Sequence, residues 1–110
     1  MVSGPETGVV KAIREAVVAR WPGSYILKVH GDRYVPDGTP DLLLSVQGRF
    51  VAIEVKYRRA GESEQRAHAK ATDAQRRALG QVILSGGIAF VATSAAEAVA
   101  TIEANLSAPS

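Results

Sequence analysis

Two short apolar runs, residues 42–46 and 49–53, constrain the fold of this chain more than any other feature. Each run has the length and the aliphatic, β-branched or aromatic content of a β-strand, and the Gln47-Gly48 joint between them ends in glycine. This pattern predicts a tight β-hairpin. With two loop residues, paired positions sum to 95, so Asp41 faces Glu54 at the open end of the hairpin. Their Cβ atoms are then expected to lie about 4.5–5.5 Å apart.

The predicted hairpin places two carboxylates side by side, an arrangement that needs a physical reason. Like charges directly opposite each other destabilise a sheet, and a divalent cation held between Asp41 and Glu54 would remove that cost. Lys56 lies on the same face as Glu54, because side chains alternate along a strand. Taken singly, Asp41 could be a turn residue after a proline, and the other two a solvent-exposed pair at a strand end. As a register-matched set they favour a metal-dependent phosphodiesterase site.

Size and composition predict a single domain over residues 1–110. A hydrophobic fraction of 46% and a charged fraction of 22% are ordinary for a folded soluble domain of this length. The lack of cysteine excludes disulfides and thiolate metal sites, and two histidines are too few for a zinc centre built from histidine. No apolar run approaches a membrane span, and no signal-peptide pattern opens the sequence. We therefore expect a cytoplasmic protein without membrane contact.

Positive charge is concentrated in one segment of the chain. Residues 56–77 contain seven Lys or Arg and three acids, a local charge of +4, whereas the rest of the chain carries −2. A basic segment that begins beside the carboxylate pair is where a nucleic-acid backbone is expected to lie. Composition equally allows a solvated, mobile loop whose charges only keep the protein soluble. The candidate phosphate contacts in this segment are Arg58, Arg59, Arg66 and Lys70.

Hydrophobic periodicity predicts the element order α-β-β-β-α-β-α, in which a hairpin followed by a crossover helix implies a mixed sheet with helices on both sides. Capping-box patterns at 72–75 and 94–97 mark the starts of the last two helices. The polar segment 58–71 has no clear period and is expected to be a loop or a weak helical excursion. The other predicted elements are a helix over 6–20, strands over 25–30, 42–46 and 49–53, a helix over 72–84, a strand over 88–92 and a helix over 94–106.

This order, with a Pro-Asp pair and a Glu-X-Lys motif, resembles the PD-(D/E)XK nuclease superfamily and its restriction-endonuclease-like fold. Within it the chain is similar to the VRR-NUC family, in particular its small stand-alone phage and bacterial members. The resemblance implies an α/β fold with an αβββαβ core, a mixed central sheet flanked by helices, and an extra C-terminal helix. The segment between Lys56 and Gln75 is longer and more charged than the family's usual linker. The matching stretches are Glu6 with the helix after it, 28–31, 38–41, 48–56, Gln75 and 86–91.

The resemblance implies a metal site with hard oxygen ligands, which suit Mg²⁺ or Mn²⁺. Our hypothesis is that Asp41 and Glu54 supply side-chain oxygens and that Val55 supplies its backbone carbonyl. Lys56 would orient the attacking water or stabilise the negative charge that develops on the phosphate. No small-molecule cofactor beyond the metal is expected.

Three further side chains, Glu6, Gln75 and Lys28, could have either a role in the site or an ordinary structural role. Family members carry a glutamate on the first helix that reaches the metal. Glu6 matches it by alignment better than Glu15 does, although an acid in the first turn also complements the helix dipole. The resemblance places Gln75 in the catalytic set, but Gln75 is also the capping-box partner of Thr72. Lys28 lies beside the hairpin and could contact nucleic acid or face solvent.

The resemblance implies a metal-dependent, structure-selective DNA endonuclease with a Holliday-junction or branched-DNA resolvase activity. Two symmetric cuts on a junction need two active sites, so a two-fold homodimer is expected. The alternatives are a non-catalytic nucleic-acid-binding module and a general nuclease that cuts linear duplex DNA. The acidic cluster argues against the binding module, because without a metal ion it would repel phosphates.

Overall fold

The chain forms a mixed β-sheet with helices on both faces, and the computed structural model describes residues 4–31 and 33–107. The elements are α1 (Pro5–Arg20), β1 (Tyr25–Lys28), β2 (Leu42–Val46), β3 (Arg49–Val55), α2 (Glu64–His68), α3 (Asp73–Leu84), β4 (Ile88–Ala92) and α4 (Ala95–Leu106). The strand order is β1-β2-β3-β4, with β1, β2 and β3 successively antiparallel and β4 parallel to β3. The α/β fold predicted from the sequence is confirmed, including the extra C-terminal helix.

The β2–β3 hairpin has the predicted register. All its residue pairs have positions that sum to 95. Gln47 and Gly48 form the turn with φ angles of 50° and 79°, and two consecutive left-handed residues are typical of a type I′ turn. One further step of the register brings Asp41 opposite Glu54 at the end of the hairpin that lies away from the turn.

The main core lies between one face of the sheet and helices α1 and α4. Burying a Val, Leu or Ile side chain contributes about 1.5–3 kcal/mol, so this apolar face fixes which side of the hairpin points inward. Because side chains alternate along β3, Glu54 between two core residues is directed to the opposite face. The largest fully buried side chains are Ile13, Val17, Leu42, Leu44, Val46, Val51, Ile53, Val55 and Ile102.

Helix α3 packs against β3 and β4 and provides the crossover between these two parallel strands. Leu79 is its buried residue. Within residues 4–31 and 33–107, no helix has both the length and the apolar character needed to cross a bilayer.

The polar segment 58–71, expected to be a loop or a weak helical excursion, contains helix α2, which is only five residues long and too short to produce a readable helical period. Three other local features differ from the sequence-based expectations. Strand β3 continues two residues past Ile53, to Val55. Strand β1 ends two residues earlier than predicted. The second capping box forms in part: Ser94 Oγ accepts a hydrogen bond from the N–H of Glu97 (3.1 Å), but Glu97 Oε1 accepts from the N–H of Thr93 (2.8 Å) rather than from that of Ser94.

Candidate metal centre

Asp41 is held at the open end of the hairpin by hydrogen bonds on both sides. Its carbonyl oxygen accepts from the N–H of Val29 (2.8 Å), the residue that follows β1. Its Oδ2 accepts from the N–H of Val55 (2.8 Å) at the end of β3. The carboxylate is therefore directed across the end of the sheet toward the last residues of β3.

Glu54 is a buried carboxylate beside Asp41, with 3% of its surface exposed. Lys56 Nζ lies 3.6 Å from Glu54 Oε2, whereas Oε1 is buried without a hydrogen-bond partner among the described residues. Burial, the negative charge of Asp41 and a hydrogen bond with that carboxyl raise the pKa of Glu54 to about 8, against the lowering effect of Lys56. Leaving a buried polar atom such as Oε1 without a hydrogen-bond partner costs about 1–3 kcal/mol, a cost that a bound cation would remove.

The backbone of Val55 presents a third oxygen near the two carboxylates. The N–H of Lys56 donates to Ala92 O in β4 (3.0 Å). Because the N–H and C=O of a trans peptide point in opposite directions, the carbonyl of Val55 points away from β4, toward the side where Asp41 lies. Two carboxylates and a carbonyl suit Mg²⁺ or Mn²⁺, and the unpartnered Glu54 Oε1 supports the fit of such an ion.

Both candidate glutamates of α1 border the cleft that contains Asp41. This cleft runs between α1 and β1, has a volume of about 980 Å³, and is lined by Glu6 and Glu15 among others. Glu6 also borders a second hollow, next to Tyr57. Because Tyr57 directly follows Lys56, this placement favours Glu6 over Glu15 as the acid nearer to the candidate centre.

Gln75 forms the capping box at the start of α3. Its Oε1 accepts a hydrogen bond from the N–H of Thr72 (2.9 Å), and its own N–H donates to Thr72 Oγ1 (3.1 Å). The capping role that the sequence also predicted for Gln75 is therefore present, and it uses the amide oxygen of Gln75. A contact of this side chain with metal or phosphate stays a prediction.

The loop that carries Asp41 rests on the capped end of α3. A Cβ atom at Gly38 would lie 2.4 Å from Ala74 O and 2.9 Å from Gln75 N, and Gly38 has a φ of 85°. A side chain is thus disfavoured there both by the left-handed backbone and by the close approach of α3. Gly38 and the α3 cap together position the loop that leads to Asp41.

The substitution Gly38→Ala is expected to lower the free energy of unfolding by about 2–4 kcal/mol, because left-handed strain adds to a backbone clash. Urea unfolding followed by circular dichroism measures the change. Gly31→Ala in the same loop is the matched control, since a Cβ there meets nothing within 4 Å, and its effect is expected within about 0.5 kcal/mol. Equal stabilities of the two variants would contradict the proposed packing of the loop on α3.

The basic segment that follows β3 is hydrogen-bonded around Glu62. Arg58 Nε donates to Glu62 O (2.7 Å), and Lys70 Nζ donates to Glu62 Oε1 (2.8 Å) and to Tyr57 O (3.1 Å). The hydrogen bond from Lys70, and after it that from the N–H of Arg59, lowers the pKa of Glu62. Arg58 and Lys70 thus have a structural role, whatever contact they make with phosphate.

The other predicted phosphate contacts lie in different places. Lys28 lines the α1–β1 cleft with Asp41, and its Nζ donates to Val29 O (2.7 Å). Arg59 borders the second hollow, and Arg66 is exposed on α2. The candidate contacts therefore do not form one patch.

Two cations that the sequence analysis did not single out, Lys11 and Arg14, line the same cleft as Lys28. They are exposed on α1 three residues apart, which puts them on one side of the helix. A helical projection of the polar residues of α1 could have identified them, because their spacing is readable in the sequence. Their closeness to the hairpin depends on how α1 packs and could not be read there.

Comparison with known proteins agrees with the fold. The chain is similar to a solved structure described as "VRR_NUC domain", with a TM-score of 0.68 and 25% identity over 92% of this chain and 97% of that one. A second structure, described as "VRR_NUC domain protein", has a TM-score of 0.66 and 20% identity over 96% of this chain and 91% of that one. No family model matches the sequence, and the search of curated proteins finds no match. The structural similarity over nearly the whole chain agrees with the resemblance seen in the motifs, and it supports a nuclease-type domain with the fold of the VRR-NUC proteins.

Proposed function

We propose that this domain is a Mg²⁺- or Mn²⁺-dependent DNA endonuclease that hydrolyses phosphodiester bonds. The observation that carries the proposal is the buried, unpartnered Oε1 of Glu54 beside Asp41 and Lys56. Burial, and after it the negative charge of Asp41, raise the pKa of Glu54, and a bound cation would offset both effects. The nuclease-type fold supports the same reading.

In this proposal, the side chains of Asp41 and Glu54 and the carbonyl of Val55 hold the ion, and Glu6 adds a carboxylate from α1. When bound, the ion makes water more acidic and offsets the charge of the phosphate. Carboxylate ligands must be deprotonated, so binding at neutral pH releases the proton that burial favours on Glu54.

Lys56 is proposed to act on the phosphate rather than on the ion. Its ammonium group is 3.6 Å from Glu54 Oε2, and its side chain is only 14% exposed. An amine in this position donates to a phosphate oxygen or orients the attacking water. Such a fixed donor stabilises the charge that develops in the transition state, and it needs little reorganisation to do so.

The charges on the two sides of Glu6 provide a path for the DNA backbone. No Phe, Tyr or Trp of the described chain lines the α1–β1 cleft, so it offers no aromatic platform for stacking single-stranded bases. Recognition of backbone shape is therefore favoured over base reading. The cations along the path are Lys11, Arg14 and Lys28 on one side of Glu6, and Arg59 and Lys70 on the other.

Replacing Lys11 and Arg14 together by alanine is expected to weaken DNA binding about tenfold or more at low salt. Each lost phosphate contact should lower the slope of log affinity against log salt by about 0.9. Fluorescence anisotropy in EDTA, at several salt concentrations, measures both quantities. Arg49→Ala is the control, because this arginine lies beside the hairpin turn and its Nη2 donates to Gly86 O (3.2 Å). Unchanged binding by the double variant would contradict the path along α1.

We further propose that the preferred substrate is a branched DNA such as a four-way junction, cut by a homodimer. Two symmetric cuts need two active sites, which a two-fold dimer supplies. Cleavage rates on a junction and on a linear duplex of matched sequence test the selectivity, and sedimentation tests the dimer. A junction rate at least about tenfold higher supports the resolvase reading, whereas equal rates would leave a general nuclease for linear duplex DNA.

A further inference from the structure

A second cluster of metal-ligating side chains lies between α2 and α4 and shares no residue with the candidate centre. It consists of Glu64, His68 and Glu97, with one ligand atom from each within 4.8 Å of the others. Glu64 and His68 are four residues apart on α2, so they lie on one face of that helix. Glu97 comes from the first turn of α4.

His68 supplies an independent observation that points to a ligand. Its Nε2 lies 2.6 Å from Glu97 Oε2, yet this buried nitrogen has no hydrogen-bond partner among the described residues. A charged His–Glu pair would direct its N–H at the carboxylate oxygen, and that geometry is missing here. A metal ion between the imidazole nitrogen and the carboxylate oxygen would bind both atoms as ligands.

Glu97 is oriented for this contact by Thr93. Glu97 Oε1 accepts hydrogen bonds from the N–H (2.8 Å) and from Oγ1 (3.0 Å) of Thr93, which is 7% exposed. These bonds leave Oε2 turned toward His68. Carboxylates that bind metals are commonly fixed by such outer hydrogen bonds. The departure from the expected capping box at Ser94 is thus part of the geometry of this cluster.

We propose that Glu64, His68 and Glu97 bind a Zn²⁺ ion, with water as a fourth ligand, and that the ion fastens α2 to α4. One imidazole and two carboxylates suit Zn²⁺, whereas Mg²⁺ prefers oxygen alone. Ligands at about 2.0–2.1 Å from a tetrahedral ion lie about 3.3 Å apart, so the His68–Glu97 contact of 2.6 Å would open by about 0.7 Å on binding.

The position of this site gives it a structural consequence. Helix α2 belongs to the basic segment that is longer than the linker usual in the family, and it carries Arg66. Few contacts hold α2 in place. Ser63 Oγ caps its start by accepting a hydrogen bond from the N–H of Arg66 (3.1 Å), and Ala67 is buried. A metal link to α4 would hold the segment in one place, independently of whether the domain cleaves DNA.

Binding of Co²⁺, a coloured substitute for Zn²⁺, tests the site in a full-length Asp41→Asn, Glu54→Gln background that removes the other carboxylate pair. We expect one Co²⁺ per chain with visible absorption bands, displaced by one equivalent of Zn²⁺. Adding His68→Ala, or separately Glu64→Gln, should weaken binding at least about 100-fold. His30→Ala, which removes the other histidine, should leave it unchanged. Circular dichroism checks that each variant is folded, and exposed Glu64 tolerates substitution most readily.

Trypsin digestion gives a second readout in the same background. Zn²⁺ should slow cleavage after Arg66 at least about tenfold, an effect that His68→Ala abolishes and His30→Ala retains. The proposal is overturned if the background protein binds no Co²⁺ at micromolar concentration, or if His68→Ala binds it as tightly as His30→Ala does. DNA cleavage enters neither assay, so failure here is distinct from failure of the proposed nuclease function.

Discussion

Asp41→Asn is expected to lower the single-turnover rate of DNA cleavage at least about 1,000-fold, because it removes a negative charge that we propose holds the metal ion. Asparagine retains an oxygen that can accept the hydrogen bond from the N–H of Val55, so the end of the hairpin stays in place. Gel assays with a labelled four-way junction and excess enzyme in Mg²⁺ measure the rate.

The matched control is Asp37→Asn, which removes an exposed aspartate from the same loop. Its cleavage rate should stay within about threefold of wild type, since a single surface charge contributes little. DNA binding by both variants is measured in parallel, so that a lost contact is not mistaken for lost chemistry. Cleavage by Asp41→Asn at the wild-type rate would remove Asp41 from the catalytic set.

Glu54→Gln is expected to stabilise the metal-free protein at alkaline pH. In the folded state the pKa of Glu54 is about 8, above its ordinary value of 4.5. Between these two values the folded state retains a proton that the unfolded state releases. The free energy of unfolding of the wild type therefore falls as pH rises through this window, and the loss is complete above about pH 8. Glutamine does not titrate, so the variant lacks this loss.

Urea unfolding in EDTA at pH 5 and pH 9 measures this difference. At about 1.4 kcal/mol per pKa unit, and allowing for relaxation around the pair, the variant should gain on the order of 2 kcal/mol over wild type between the two pH values. Glu15→Gln, an exposed acid on α1, should show no such pH-dependent gain. A difference between Glu54→Gln and wild type that does not change with pH would contradict the raised pKa.

The Glu54→Gln variant also tests whether Glu54, which lowers the stability of the metal-free protein, binds Mg²⁺. Mg²⁺ should raise the stability of wild type by RT ln(1 + [Mg²⁺]/Kd), about 2.7 kcal/mol at 100 times Kd, and should leave Glu54→Gln nearly unchanged. Wild type and variant would then reverse their order of stability when the ion is added at pH 9. Stabilisation of both proteins by Mg²⁺ would instead place the ion elsewhere.

The hairpin could be predicted from the sequence because the residues that determine it lie next to one another in the chain. A two-residue turn ending in Gly48 and two apolar runs leave one register that keeps the apolar faces together. That register brings Asp41 beside Glu54. The burial of Glu54 did not follow from the register alone, since it depends on elements that pack over the end of the sheet.

The cations of α1 and the short helix α2 could not be placed from the sequence. Lys11 and Arg14 reach the cleft only because α1 lies beside β1, which is a tertiary relation. The five residues of α2 are held by a cap and one buried alanine rather than by a periodic apolar face. Hydrophobic periodicity in the sequence shows neither the packing of α1 beside β1 nor the contacts that hold α2.

The two capping-box patterns show the same limit. Thr72 and Gln75 form the predicted pair of hydrogen bonds in full. At the start of α4, Thr93 offers Glu97 both an N–H and a hydroxyl, and the carboxylate bonds to them instead of to the N–H of Ser94. The motif predicts where a helix begins, but neighbouring donors decide which bond the acid makes.

The most direct test of the metal-dependent nuclease compares wild type with Lys56→Ala on a labelled four-way junction in Mg²⁺, Mn²⁺ or EDTA. We predict that wild type cleaves with either metal and not in EDTA. Lys56→Ala should still bind the junction but cleave it at least about 100-fold more slowly. A wild-type protein that binds the junction and cuts it with neither metal would contradict the account, and would leave a nucleic-acid-binding module in its place.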